Sequence, residues 1–185
     1  MQDDAWQTFS ERVSCEDSWH VDSEPLIWPL PDAMVQRLAE RNAATLATIA
    51  ALSERHADNA EEDSPVMQEL LRMDTKLTAL VDIVNQLLVP SSSLPPRQML
   101  RFNVVGAVLP ATLVPADQTS LLLRLRFDVC RSLPLELAAK VERQLGDGRI
   151  FVVFASQGDV VGDAIERLVF RHHRRKVAEA RHLTT

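Results

Sequence analysis

The sequence predicts an α+β fold in which two long helices precede a small antiparallel β-barrel and a final helix completes the chain. Three observations predict it. Val66, Leu70, Met73, Leu77, Leu80, Val84 and Leu87 recur at alternating steps of four and three, the seam of a helix that packs against other helices. After Pro95-Pro96 the apolar period changes to two, the signature of strands. Helical spacing then returns with Ile165, Leu168, Val169 and Phe170.

Composition sets the class. With 185 residues, 46% of them hydrophobic and 25% charged, the chain is expected to fold as one ordinary domain or as a small domain with an extension. The formal charge of −6 is uneven: Asp3, Asp4, Glu11, Glu16, Asp17, Asp22 and Glu24 weight the start, and Arg167, Arg171, Arg174, Arg175, Lys176 and Arg181 the end. An acidic average excludes general nucleic-acid binding, so no DNA partner is expected, and the basic end reads as a solvated helix face. The two cysteines, Cys15 and Cys130, lie far apart without CxxC spacing, which fits a reducing cytoplasm better than a disulfide framework. Met1 is followed by acids rather than by an export signal, and no apolar run reaches membrane-spanning length. A cytoplasmic protein with no membrane span is expected.

Residues 1–31 form an N-terminal segment. Trp6, Phe9, Val13, Trp19 and Trp28 are scattered among acids; Trp6 to Val13 is read as a short strand, and Ser23 to Pro31 is broken by prolines. The tryptophans are expected to anchor this segment onto a later core.

Residues 32–89 read as two long helices joined by a turn. Asp32 is the N-cap of the first, whose apolar stripe is Val35, Leu38, Ala39, Leu46, Ile49 and Leu52. Asn42, Thr45 and His56 fall in the same seven-residue frame. Polar groups on such a seam set register or partner number, or Asn42 lies at the edge of a hairpin interface. Asp58 to Ser64 is a polar turn, and Ser64-Pro65 restarts a helix with an N-cap and a proline at the first position. At 1.5 Å per residue the second helix extends about 35 Å, too long to hide inside one small domain. Val81 and Leu88 at e positions and Ile83 at g widen its apolar face, which a three- or four-helix bundle, or an oligomerising hairpin, covers better than a two-stranded coil. An intramolecular hairpin on a monomer is the alternative.

Residues 97–156 carry the strands. Phe102 to Leu109 is apolar on both faces, Leu121 to Phe127 alternates cleanly, Leu135 to Glu142 alternates again, Gly146-Asp147-Gly148 is a turn, and Arg149 to Phe154 follows. Strands joined by turn-length gaps form an antiparallel meander that closes into a barrel. Residues 159–181 hold the last helix.

The segment Asn103-Val104-Val105-Gly106-Ala107-Val108-Leu109, the leucine-rich strand after it, Leu135 to Glu142, the glycine turn, the aromatic last strand and the helix from Ala164 to Arg171 together resemble a PilZ domain over roughly residues 97–178. The resemblance implies a six-stranded PilZ-like barrel with a C-terminal helix, its first strand supplied around Phe9–Val13. The two helices then become a coiled-coil oligomerisation insertion between the first and second strands, as in the atypical, tetramer-forming PilZ subclass. It further implies a role in bacterial cyclic di-GMP signalling, type IV pilus motility or virulence.

The ligand motifs of that family diverge here. Cyclic di-GMP-binding members carry RxxxR near the N-terminus, where two guanidiniums grip phosphates, and [DN]xSxxG on the second strand. This chain offers only Arg12 before the first strand. Aligned on Gly106, the second motif reads Arg101-Phe102-Asn103-Val104-Val105-Gly106, with arginine for the acid and asparagine for the serine. Arg97-Gln98-Met99-Leu100-Arg101 has RxxxR spacing but precedes the second strand, so the family role does not carry over to it. Arg97, Arg101 and Asn103 remain as ligand candidates for a rearranged site.

Chemistry is sparse. The glycine turn lacks the Lys-Ser/Thr of a phosphate loop, and His172 and His173 diverge by about 100° on a helix, so they do not share a metal. Neither cysteine has a histidine in a recognisable signature. No catalytic residue, no metal and no cofactor are expected. The expectation is a non-enzymatic regulatory or adaptor protein, a homo-oligomer with the tetramer favoured, acting on an unidentified protein partner without binding cyclic di-GMP in the usual PilZ manner. A cyclic di-GMP receptor with a rearranged site and a purely structural oligomerisation protein are the alternatives.

Overall fold

The computed structural model describes residues 3–53, 65–114 and 118–182. The expected turn at 58–64 and His56 lie outside them. Among the described residues the elements run α1 (Asp3–Glu11), β1 (Cys15–Pro25), α2 (Asp32–Ser53), α3 (Pro65–Leu88), β2 (Arg97–Phe102), β3 (Gly106–Pro110), β4 (Ser120–Phe127), β5 (Cys130–Gln144), β6 (Arg149–Phe154) and α4 (Asp159–His182).

The six strands form a closed antiparallel barrel in the order β1-β2-β3-β6-β5-β4. Closure depends on β1 changing partners. Its first half pairs with β2, from Cys15↔Phe102 to His20↔Arg97, and its second half with β4, from His20↔Arg126 to Pro25↔Leu121. Register shifts between Leu125 and Phe127 in the β4–β5 pair and between Val141 and Arg143 in the β5–β6 pair mark bulges, which bend strands enough to curl so small a sheet shut. Alternation supplies the core: Leu121, Leu123 and Leu125 of β4 and Leu135, Leu137 and Ala139 of β5 are wholly buried.

Two expectations are corrected. The strand expected at Trp6–Val13 is helical through Glu11, and the first barrel strand lies later, at Cys15–Pro25. Helical spacing explains α1: Trp6 and Phe9 both reach Phe151, with ring centroids 5.0 and 4.9 Å away, so α1 packs on the outside of the barrel. The single strand expected from Phe102 to Leu109 is two strands. Asn103 breaks it, its side-chain oxygen accepting the Val105 N–H at 2.9 Å while its own N–H donates to the Gly106 carbonyl at 3.1 Å, which folds the chain back into β3.

The two long helices lie between β1 and β2 but have different surroundings. Leu38, Asn42, Thr45, Leu46 and Ile49 of α2 are buried, and the helix packs over β5 and α4. Asn42 therefore serves the barrel rather than an interhelical seam: it bonds the backbone of Glu136 in β5 and the side chain of Gln157. α4 buries Val161, Ile165, Leu168 and Val169. α3, in contrast, buries only Asn85 among its described side chains. Asn85 reaches the Val129 carbonyl and Ser132, each at 3.4 Å, which ties the end of α3 to the turn between β4 and β5.

Candidate functional site

The strongest surface feature is the apolar stripe of α3. Val66, Leu70, Met73, Leu77, Leu80, Val84 and Leu87, the residues that the heptad singles out, are each between 49% and 76% exposed, and Leu71, Ile83 and Leu88 flank them in the open. A contiguous apolar strip of this length is uncommon on a lone soluble chain. Helical propensity and the Pro65 start form the helix; among the described residues no packing covers its apolar stripe.

The ligand candidates do not converge. Arg97 donates to the Ser18 carbonyl at 2.7 Å and to Asp128 at 2.5 Å. Arg101 lies 4.8 Å over the Phe9 ring. Asn103 is buried, its amide nitrogen donating to the Phe9 carbonyl at 2.9 Å while its oxygen holds the turn. Arg101 and Asn103 thus both hold Phe9 of α1, while Arg97 lies apart from them on Ser18 and Asp128.

Arg12 and Asn103 do share a shallow cleft of roughly 220 Å³ with Glu166 and Phe170. Arg12 forms an ion pair with Glu166 at 2.5 Å. A phosphate entering there would meet the Glu166 carboxylate and one guanidinium already engaged. Gly106 is accounted for by packing: a Cβ at that position would stand 2.1 Å from the Val152 carbonyl oxygen.

A larger cavity, of roughly 440 Å³, was not legible in the sequence. Its wall combines Trp19 of β1, Ile49 of α2, Arg97 of β2, and Arg171, His172 and Arg175 of α4. The one local signal was the spacing of Arg171 and Arg175, which puts two guanidiniums on one face of α4. His172 and His173 separate as expected: the first lies against Trp19 and reaches Asp17 at 3.1 Å, while the second is exposed. Among the described residues no cluster suited to a metal is present. Burial pushes the Cys15 thiol up to about 12, which leaves it a quiet core group.

No curated protein matches the chain. Among solved structures, a pathogenic protein from Xanthomonas campestris, described as a new tetrameric PilZ domain self-assembled via an unusual helical bundle, superimposes with a TM-score of 0.64 at 23% identity, over 95% of this chain and 97% of that one. That likeness is one of fold. The model of the atypical PilZ domain family, described as a cyclic di-GMP receptor, matches residues 45–182. The closed barrel, the helices between its first two strands and this match over most of the chain together place the protein in the atypical PilZ family.

Proposed function

We propose that the protein is a non-enzymatic, cytoplasmic adaptor that assembles as a homotetramer through α3 and presents several PilZ barrels to a protein partner in cyclic di-GMP-linked control of pilus motility or virulence. The observation that carries this reading is the uncovered heptad of α3, with Val66 through Leu87 exposed along the whole helix. Holding several barrels together raises the effective concentration of each weak contact. The Xanthomonas protein is described as tetrameric and bundle-assembled, which supports the same arrangement here. Binding of cyclic di-GMP in the usual manner is not part of the proposal, because Arg12 has no second arginine beside it and is held by Glu166, and Asn103 is spent on the Phe9 carbonyl and its own turn. Light scattering on the intact protein tests the assembly: a mass four times the 20.7 kDa chain is expected, and a monomer would overturn it.

The family description favours a second reading, a cyclic di-GMP receptor with a rearranged site. Calorimetric titration separates the two. Micromolar binding that disappears in Arg97→Ala or Arg101→Ala would establish the receptor and displace the ligand-independent adaptor.

A further inference from the structure

The outward face of α4 carries side chains that the fold does not use. Phe170 is 54% exposed, although Leu168 and Val169 beside it are buried. Arg167, Arg171 and Arg174 follow one another at steps of four and three, so they share one face of the helix with Phe170. Among the described residues none of these three arginines has a hydrogen bond or an ion pair. The carboxylates that share a groove or a cavity with them are held elsewhere or out of reach. Glu166 is paired with Arg12, Asp17 with His172 and Lys176, and Asp128 with Arg97 and Arg131, while Asp163 forms no ion pair with Arg167 one turn later. Like charges at these spacings repel along a helix, so the set gives the single chain no stability. Arginine and aromatic side chains are the types that carry contacts between proteins.

The shape agrees with the composition. Phe170 borders an open groove of roughly 490 Å³ with Asp163, Glu166, Arg167 and Arg171. On its other side it meets Val13, 48% exposed, in the shallow cleft beside Arg12. An incoming apolar side chain would rest on Phe170 and Val13 with guanidiniums to one side. A carboxylate suits those guanidiniums, each of which can hold it through two N–H donors. A nucleic-acid backbone suits them less: a continuous run of phosphates crossing the groove would meet Asp163 and Glu166, on a chain of net charge −6.

We propose that this face of α4 is the docking surface for an acidic segment of another protein. The segment lays an apolar side chain against Phe170 and Val13 and sets its carboxylates on Arg167, Arg171 and Arg174. The proposal rests on the adaptor reading, for which it supplies the contact surface and the chemistry of the partner.

Fluorescence anisotropy on the full chain tests it, the probe being a labelled synthetic peptide of glutamates around a central leucine–phenylalanine pair. The peptide is expected to bind, and to bind less as salt is raised. Arg167→Gln, Arg171→Gln and Arg174→Gln should each weaken it about threefold, and Phe170→Ala about tenfold. Arg149→Gln removes an exposed arginine of β6, outside this face, and should leave binding unchanged. Circular dichroism confirms that the variants fold, and light scattering that their mass matches the parent's. No binding at millimolar peptide, equal weakening by Arg149→Gln, or undiminished binding of a peptide with glutamine for glutamate would overturn the surface. Tighter binding of single-stranded RNA than of the peptide would overturn the protein partner. A monomer mass for the parent with peptide binding intact would overturn the tetramer and leave this surface standing.

Discussion

Asn42 of α2 holds both backbone hydrogen-bonding groups of Glu136 in β5: its oxygen accepts the Glu136 N–H at 2.9 Å, and its amide donates to the Glu136 carbonyl at 2.7 Å. The pairing of β6 with β5 ends at Phe154↔Ala139, so beyond that point β5 has no strand on that side. The amide of Asn42 takes the place of one. The second hydrogen of the same amide group serves Gln157, 2.9 Å away, and Asn42 is wholly buried.

Asn42→Ala should therefore strip two buried backbone groups of their partners and lower stability by about 2–6 kcal/mol, at ~1–3 kcal/mol for each unsatisfied group. Urea unfolding at fixed protein concentration measures this. A loss below about 1 kcal/mol would mean that water replaces the amide, contrary to the expectation.

Gly106→Ala tests the close approach of β3 and β6. Its Cβ would sit 2.1 Å from the Val152 carbonyl oxygen and 2.9 Å from the Phe151 ring, and the first of these is backbone that cannot step aside. The expected outcome is a loss of more than about 3 kcal/mol, or insoluble protein. Gly146→Ala is the control, since nothing lies within 4 Å of the added carbon.

Leu77→Glu separates fold from assembly. Leu77 is 59% exposed, so the charge costs the single chain little, whereas burial of an unpaired carboxylate in an α3 bundle is strongly unfavourable. The variant is expected to keep its barrel by circular dichroism and to fall to the monomer mass by light scattering. Leu80→Glu should do the same, and an unchanged mass in both would sink the bundle.

His172 gives the protein an acid-side pH dependence. Its folded pKa is lowered from 6.5, first by burial and then by the charge of Arg175. The stability contributed by the neutral ring is thus fully present above the unfolded value and is lost as pH falls through the lower, folded one. Unfolding free energies at about pH 7.5 and about pH 5 should differ less in His172→Gln than in the parent protein, and an identical difference would remove His172 as the cause.

The sequence disclosed what is periodic and hid what is assembled from afar. The α3 heptad, β4, β5, β6 and α4 were legible because each carries its own repeat of apolar residues. β1 was not: Glu16, Asp17, Asp22 and Glu24 obscure the inward positions Cys15, Trp19 and Val21, although these three share one alternation. The split between β2 and β3 depends on one Asx turn at Asn103, inside a stretch that is apolar throughout. The stripe of α2 was visible, but periodicity does not say which surface it meets; it meets the barrel and α4, whereas the stripe of α3 stays exposed among the described residues. The basic cavity was illegible for a further reason. Its wall draws residues from β1, α2, β2, β4 and α4, and only the tertiary fold joins them.

The partner change of β1 at His20 also dictates how the chain folds. β4, β5 and β6 follow one another through short turns, whereas the pair Cys15↔Phe102 closes a loop of 87 residues that contains both long helices. Loop-closure entropy makes that the slow contact, so β1 docks last, onto a sheet already formed from β2 to β6. Until it does, β2 and β4 are open edges able to accept a strand from another copy. Pulse-labelled hydrogen exchange should find the amides of β1 protected after those of β5, and simultaneous protection would refute this order.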